Sequence, residues 1–355
     1  MSVKRNEVVS MKIEKGRQPN PPVPSAIPCN VCGATEAEQV RSKDRHGGPL
    51  RSVICRRCGL VWTDPRPTPE QMRSFYEHEY RLDYKGILRP KLKHIYRSGK
   101  VALDRFQRTR SILTSGCRVL DVGAGSGEFV YVLRALGYDA SGFEPNTGYA
   151  RFAAEILGLP VTHAFYQDIS MQPASVDVVT IFHTLEHLEN PFEALRKARE
   201  WLRPEGFLVV EVPNVEAECQ QPHTQFHRGH LYHFNIATLE MLGQRTGFAI
   251  TDHSTSSDGG NITVIFQWTE APAHTSGEIP DNCEIVNMIL RRHSSFRHFF
   301  SRYPVIRPLQ KVVTRIDEWW HTLGRRSPKP ILDKLIEKLR QSRSHDSLSP
   351  MERQR

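Results

Sequence analysis

The sequence predicts an open, doubly wound α/β sheet of seven strands, with a four-cysteine module ahead of it and a basic helical tail behind it. Three observations carry that expectation. From Gly116 onward, apolar runs of strand length (CRVLDV, YDASGF, VDVVTIF, GFLVVEV) alternate with amphipathic helical stretches (EFVYVLRALG, TGYARFAAEILG, PFEALRKAREWL), the pattern of a parallel sheet covered by helices on both faces. Two Cys-x-x-Cys pairs precede this region, and beyond residue 280 apolar residues recur at helical spacing between prolines.

Taken in order, residues 1–28 are basic at the start and proline-rich at the end, and read as a disordered tail. Residues 29–66 hold Cys29, Cys32, Cys55 and Cys58 as two knuckles with too little apolar mass for a core of their own. Four thiolates at that spacing suit one tetrahedral zinc ion, and a shell they close has no position for water, so the module should be structural. Residues 67–115 form a helical connector that opens with Thr68 as N-cap, Pro69 at the first helical position and Gln71 three residues after the cap. Residues 116–270 are the sheet domain, and its last two strands, FAITDHST and NITVIFQW, are joined by Ser257-Asp258-Gly259-Gly260 as an antiparallel hairpin at the edge. Residues 281–355 form the helical tail. Because the core should close near residue 268, this tail is expected to be dispensable for binding within the core.

Composition narrows the function classes. The net charge is +9, but residues 281–355 hold 16 Lys/Arg against 8 Asp/Glu, so +8 of it lies in the tail and the rest of the chain is nearly neutral. A basic face over the sheet is not expected, and nucleic acid is an unlikely partner for it. The tail, with Trp319-Trp320 among arginines and lysines, suits peripheral contact with a membrane, and docking on its own core or on a second subunit is the alternative. No apolar run reaches the roughly 18 residues of a membrane span. An odd count of seven cysteines, four of them paired for metal, favours a reducing compartment, hence the cytoplasm or the inner membrane face.

The segment VLDVGAGSGEF, residues 119–129, runs from strand through glycine-rich turn to helix, where open α/β sheets bind nucleotides. Gly123, Gly125 and Gly127 give G-x-G-x-G; the sixth position from Gly123 is Glu128, so the dinucleotide pattern fails. Glu144 in SGFEPN stands 21 residues beyond Gly123, where a carboxylate can take both ribose hydroxyls, and Asp168 in FYQDIS follows the third strand within reach of an adenine amino group.

LDVGAGSG, FEPN, YQD and HTLEHLENPFEAL...WLRPEGFLVVEVPN together resemble the motif series of class I S-adenosylmethionine-dependent methyltransferases, whose sheet is seven-stranded and Rossmann-like. The resemblance implies that Gly123, Gly125 and Gly127 approach the methionine part of the cofactor, that Glu144 holds the ribose, that Asp168 addresses adenine, and that Asp121 braces the loop and the amino group. His183, directly after the fourth strand, is placed with the cofactor. The zinc ribbon, a tyrosine-bearing helix and a histidine segment before a helix start resemble, more narrowly, bacterial deoxysugar C-methyltransferases. That likeness implies His230 as general base, His187 as its assistant and Tyr80 as a substrate contact. Two features depart from it: Gly229 stands where an acidic residue usually precedes the base, and a basic helical tail replaces a second α/β domain.

HRGHLYHF, residues 227–234, should lie over the carboxyl edge of the sheet. Its three histidines at intervals of three drift around a helix, and with no carboxylate nearby in sequence a metal site is not expected there. For His183 and His187 a structural role stands beside the functional one. The expected activity is methyl transfer to a sugar, nucleotide-sugar or glycan precursor; an RNA methyltransferase and a non-enzymatic cofactor-binding scaffold are the rivals.

Overall fold

The computed structural model describes residues 27–74, 90–269 and 277–346. A seven-stranded sheet occupies the centre. Its strands are β4 (Arg118–Val122), β5 (Asp139–Glu144), β6 (Val161–His163), β7 (Val176–Phe182), β8 (Leu202–Pro213), β10 (Phe248–Thr255) and β11 (Asn261–Trp268), in the order β10-β11-β8-β7-β4-β5-β6. The first five pair in parallel, and β11 runs antiparallel to both β8 and β10. The expected hairpin is therefore present, but only β10 lies at the edge. β11 is inserted beside β8 with Ile262 to Phe266 buried, because its continuous apolar run can fill both faces.

A second sheet is built from β1 (Ala37–Lys43), β2 (Pro49–Cys55), β3 (Val61–Thr63) and β9 (Tyr232–His233). The first three strands belong to the cysteine module, whereas β9 lies inside HRGHLYHF. Val61 pairs with His233 and Trp62 with Tyr232. The module lacks a core of its own, as expected, and shares one: Val31, Val53, Leu60 and Trp62 pack in the same cluster as Val179, Val210, Leu231 and Phe234.

The helices are α1 (Pro69–Ser74), α2 (Leu92–Thr109), α3 (Glu128–Ala135), α4 (Thr147–Arg151), α5 (Pro191–Trp201), α6 (Ile236–Arg245), α7 (Asn282–Arg292), α8 (Ser295–Phe299), α9 (Tyr303–Thr322) and α10 (Lys329–Asp346). The Thr68–Gln71 cap appears as read, each residue's side chain accepting the other's backbone N–H. The expectation that everything beyond 280 is an appendage does not hold. Val286 and Leu290 of α7 pack on Leu50 and Ile54 of β2, and Leu332 and Ile336 of α10 join the cluster of Val119, Phe129 and Ile95. Gly99 permits that approach, since a Cβ there would stand 2.8 Å from both Leu332 and Leu335. Removing residues 281–355 would thus strip part of the core. Most of the large apolar side chains left in solvent among the described residues lie on α8 and α9, among them Phe296, Leu309, Val313, Ile316 and Trp320. No helix among the described residues is long and apolar enough to cross a membrane.

Candidate active site

Two cavities meet at the carboxyl ends of β4, β5 and β7. The smaller, about 110 Å³, is lined by Phe143, Glu144, Asn146, Phe165 and Leu188; the larger, about 480 Å³, runs from Asp121 and the glycine loop out to the histidines. Gly123, His183 and His187 line both.

The first half is built locally. β4 delivers the chain to a turn in which Gly123 and Gly127 adopt φ of +77° and +86°. A Cβ on Gly123 would lie 2.3 Å from Thr184 Oγ1, and one on Gly127 would lie 2.7 Å from Leu159 Cδ1, so both positions need glycine for conformation and for space. Glu144, buried at the end of β5, accepts the Gly125 and Asn146 N–H groups, each at 2.9 Å. It braces the loop as well as facing the smaller cavity, and each oxygen keeps a lone pair for a ribose hydroxyl. Asp121 accepts from Thr180 Oγ1 at 2.7 Å, and burial pushes its carboxyl up to about 6 against that hydrogen bond.

Asp168 differs from its expected place. Its side chain is 53% exposed and pairs with Arg73 of α1 through two bonds of 2.8 and 2.9 Å, outside the residues lining either cavity, while its neighbour Gln167 lines the smaller one. The reason is that the short helical turn Tyr166–Asp168 aims successive side chains in different directions, and α1 supplies a guanidinium beside the carboxylate. Addressing adenine would require Asp168 to exchange this partner. Tyr80 lies outside the described residues.

The second half is assembled from distant segments. The turn after β7 carries His183, Glu186 and His187; HRGHLYHF carries His227, His230 and His233; β3 holds the two together. Thr63 donates its N–H to Leu231 O at 2.9 Å and its hydroxyl to His230 O at 3.2 Å, and Leu231 N–H in turn reaches Glu186 O at 2.8 Å. His187 Nδ1 meets Gly229 O at 2.5 Å, so that nitrogen carries the proton and Nε2 is the acceptor. HRGHLYHF is therefore no helix; a turn, closed by His230 N–H on His227 O at 3.0 Å, leads into β9.

Glu186 was not singled out in the sequence, and it stands at the centre of this half. It is 1% exposed, and among the described residues neither carboxylate oxygen has a partner at hydrogen-bond geometry. Around its Oε1 stand His183 Nδ1 at 3.4 Å, His187 Nε2 at 3.7 Å and His230 Nε2 at 3.9 Å. The expectation that no carboxylate lies near the histidine segment is corrected: the carboxylate comes from a loop more than 40 residues earlier, brought there by chain folding. His183 sits at φ +48°, in the left-handed region, with Nε2 3.3 Å from Glu211. Burial opposes its protonation, yet the two carboxylates raise its pKa to about 9. His230 is moved the other way, well below the ordinary imidazole value, by burial and by the surrounding histidines.

None of the four cysteines is in a disulfide; the Cys29 and Cys58 sulfurs are 3.5 Å apart, the Cys32 and Cys55 sulfurs 3.4 Å apart, and the whole set lies within 4.8 Å. Zinc bound by four thiolates at ~2.3 Å sets sulfur–sulfur edges of ~3.8 Å, so the donor set suits that ion.

Comparison with known proteins agrees with the geometry of the first half. Residues 92–253 match a family model described as a methyltransferase domain. The ubiquinone biosynthesis O-methyltransferase of Roseobacter denitrificans is 32% identical over 104 residues, 28% of this chain and 42% of that protein. The protein of the same description from Albidiferax ferrireducens is 31% identical over 154 residues, 41% and 59% of the two chains. A tRNA U34 carboxymethyltransferase of Azotobacter vinelandii is 28% identical over 145 residues, 38% and 46%. The chain spans about half the length of the curated relatives it matches. The glycine loop and the braced Glu144 lie within this match, which identifies a methyltransferase domain in residues 92–253.

Proposed function

We propose that the protein transfers the methyl group of S-adenosylmethionine to a small polar acceptor of the sugar, nucleotide-sugar or glycan-precursor class, held at the histidine end of the larger cavity. The single observation that carries this is the continuity of the two halves: the cavity that begins at Asp121 and Gly125 ends at His187, His227 and His230. When bound, the cofactor supplies an electrophilic methyl on a sulfonium; Gly123, Gly125 and Gly127 cradle its methionine part, Glu144 takes the ribose, Asp168 the adenine after leaving Arg73, and Asp121 with His183 face the amino-acid end. The protein aligns the acceptor for in-line attack and removes its proton. His230, neutral and buried beside His187, is the proposed base. Arg45 and His94, which line the same cavity, suit an anionic group on the acceptor, such as a nucleotide-sugar diphosphate.

The similarity to a tRNA-modifying enzyme favours RNA as the second reading. Methyl-labelled cofactor incubated with fractionated cell extract separates them: label in small molecules or glycan supports the first, label in RNA the second, and no label in any fraction supports the scaffold.

The outer face of α9 supports an acceptor presented at an anionic lipid surface. Asp317 and Glu318 turn inward, to Lys100 at 2.9 Å and to Arg97 at 2.6 Å, which leaves Arg302, Lys311 and Arg315 exposed among the apolar side chains. Trp319→Ala with Trp320→Ala should weaken binding to anionic vesicles at low salt. If the full chain ignores such vesicles, this face meets protein instead.

A further inference from the structure

We infer that the acceptor end of the cavity is a divalent-cation site whose protein ligands are Glu186, His187 and His230. Their donor atoms lie within 4.8 Å of one another, and all three residues line the larger cavity. A buried carboxylate that lacks hydrogen bonds is costly, and among the described residues neither oxygen of Glu186 has a partner at hydrogen-bond geometry, His183 Nδ1 facing Oε1 at 3.4 Å. A cation at the centre of the cluster supplies the missing partner.

The surrounding bonds prepare the imidazoles for ligation. His187 Nδ1 donates to Gly229 O, which fixes the tautomer and directs the Nε2 lone pair towards Glu186, the arrangement by which metal-bound histidines are held by a second hydrogen bond. His230 is held by the hydrogen bonds of its own backbone to His227 and to Thr63, and its ring lies edge-on to that of His187 with the centroids 4.7 Å apart. Distances of 3.7 and 3.9 Å from Glu186 Oε1 to the two Nε2 atoms exceed the ~3.4 Å spacing of ligands on a tetrahedral ion by little more than a side-chain rotation. The rival is His183, at 3.4 Å, serving as the counter-charge to Glu186; it leaves the carboxylate without a hydrogen bond and is itself shared with Glu211. One carboxylate and two imidazoles suit a borderline cation such as Mn²⁺, Fe²⁺, Co²⁺ or Zn²⁺, and three protein ligands leave positions open towards the cavity.

This inference rests on the acceptor reading of the cavity, because an open position there can hold an acceptor oxygen and lower its proton affinity. It gives His230 a ligand's role in place of the base's. The full chain, with its cysteine site loaded with zinc, is titrated with Mn²⁺ and followed by pulsed electron paramagnetic resonance. We expect one Mn²⁺ per chain with nitrogen couplings from two imidazoles, and at least a tenfold loss of affinity in Glu186→Gln while S-adenosylmethionine binding is retained. His187→Gln, checked for an unchanged melting curve, should lose one nitrogen coupling, which keeps the test open if Glu186→Gln fails to fold. Binding without nitrogen couplings, or binding unaltered by both substitutions, overturns the site. If the zinc-loaded wild type binds no Mn²⁺ while His230→Ala still abolishes methyl transfer, the cation fails and the base survives. If His230→Ala leaves transfer intact, the acceptor reading itself fails.

Discussion

The two halves of the cavity are made in different ways. On the cofactor side, every positioned group lies within one strand–turn–helix unit or the strand beside it: Gly125 N–H and the Glu144 carboxylate that receives it are 19 residues apart along the chain. On the acceptor side, Thr63, Glu186 and His230 come from three segments, and Thr63 reaches His230 across 167 residues. The first half is as stable as its sheet. The second depends on a four-cysteine module whose third strand pairs with β9 of the histidine segment. The cysteine module is thus a template for the histidine segment, and the two halves should fail separately.

The largest separation should follow removal of zinc. A structural zinc contributes on the order of 10 kcal/mol in small zinc-binding peptides, and the cysteine module shares its core rather than owning one. Chelation, or Cys32→Ser, should expose residues 29–66 to protease and abolish methyl transfer while S-adenosylmethionine still binds within a few-fold of wild type. Unchanged protease resistance in a metal-free preparation would remove the zinc. Parallel loss of cofactor affinity would show that the halves are one unit.

Glu144→Ala should do the reverse. It removes the proposed ribose bonds together with the acceptor for the Gly125 and Asn146 N–H groups, so cofactor affinity should fall by about 2 to 4 kcal/mol, the lower part of the sum for two hydrogen bonds to a charged group because water replaces some of what is lost. Calorimetry checks this, and wild-type affinity would move the cofactor elsewhere. The acceptor segment should keep its protection from hydrogen exchange.

His230→Ala, or His230→Asn, should lower the methylation rate by about 10²-fold or more with cofactor affinity near wild type, whether the imidazole acts as base or as ligand. His227→Ala and His233→Ala should be milder. Equal losses in all three would indicate damage to the turn rather than to one group.

The same contrast explains what the sequence discloses. Gly123, Gly127 and Glu144 are legible because glycine is required by a local φ and a local contact, and the spacing from turn to strand end follows from the length of a helix. The cysteine pairs are legible because their spacing is one that a tetrahedral metal site would require. Glu186 sits in plain view between His183 and His187, yet nothing local marks it, since its burial and its facing imidazoles arise only when residues 227–233 fold back over the turn. A three-residue histidine interval suggested helical drift, whereas a turn and a strand were formed because β3 offered a free edge. Asp168 shows the converse: its place in sequence follows the motif, but an arginine from another segment holds its carboxylate.

The smallest effect tests the link between module and site directly. Thr63→Val keeps the size and strand preference of the side chain and the backbone bond to Leu231, and removes only the hydroxyl that donates to His230 O. Thr63 is buried, so the carbonyl loses a partner it cannot replace from water, and stability should fall by about 1 kcal/mol. If the module merely anchors the chain, that loss appears in the melting temperature and the rate is unchanged. If it positions His230, the rate should fall a few-fold with no change in cofactor affinity, because the imidazole is carried on the residue whose carbonyl has been released. A rate equal to wild type at full cofactor occupancy would sever the module from the chemistry and leave the pairing of β3 with β9 a matter of packing alone.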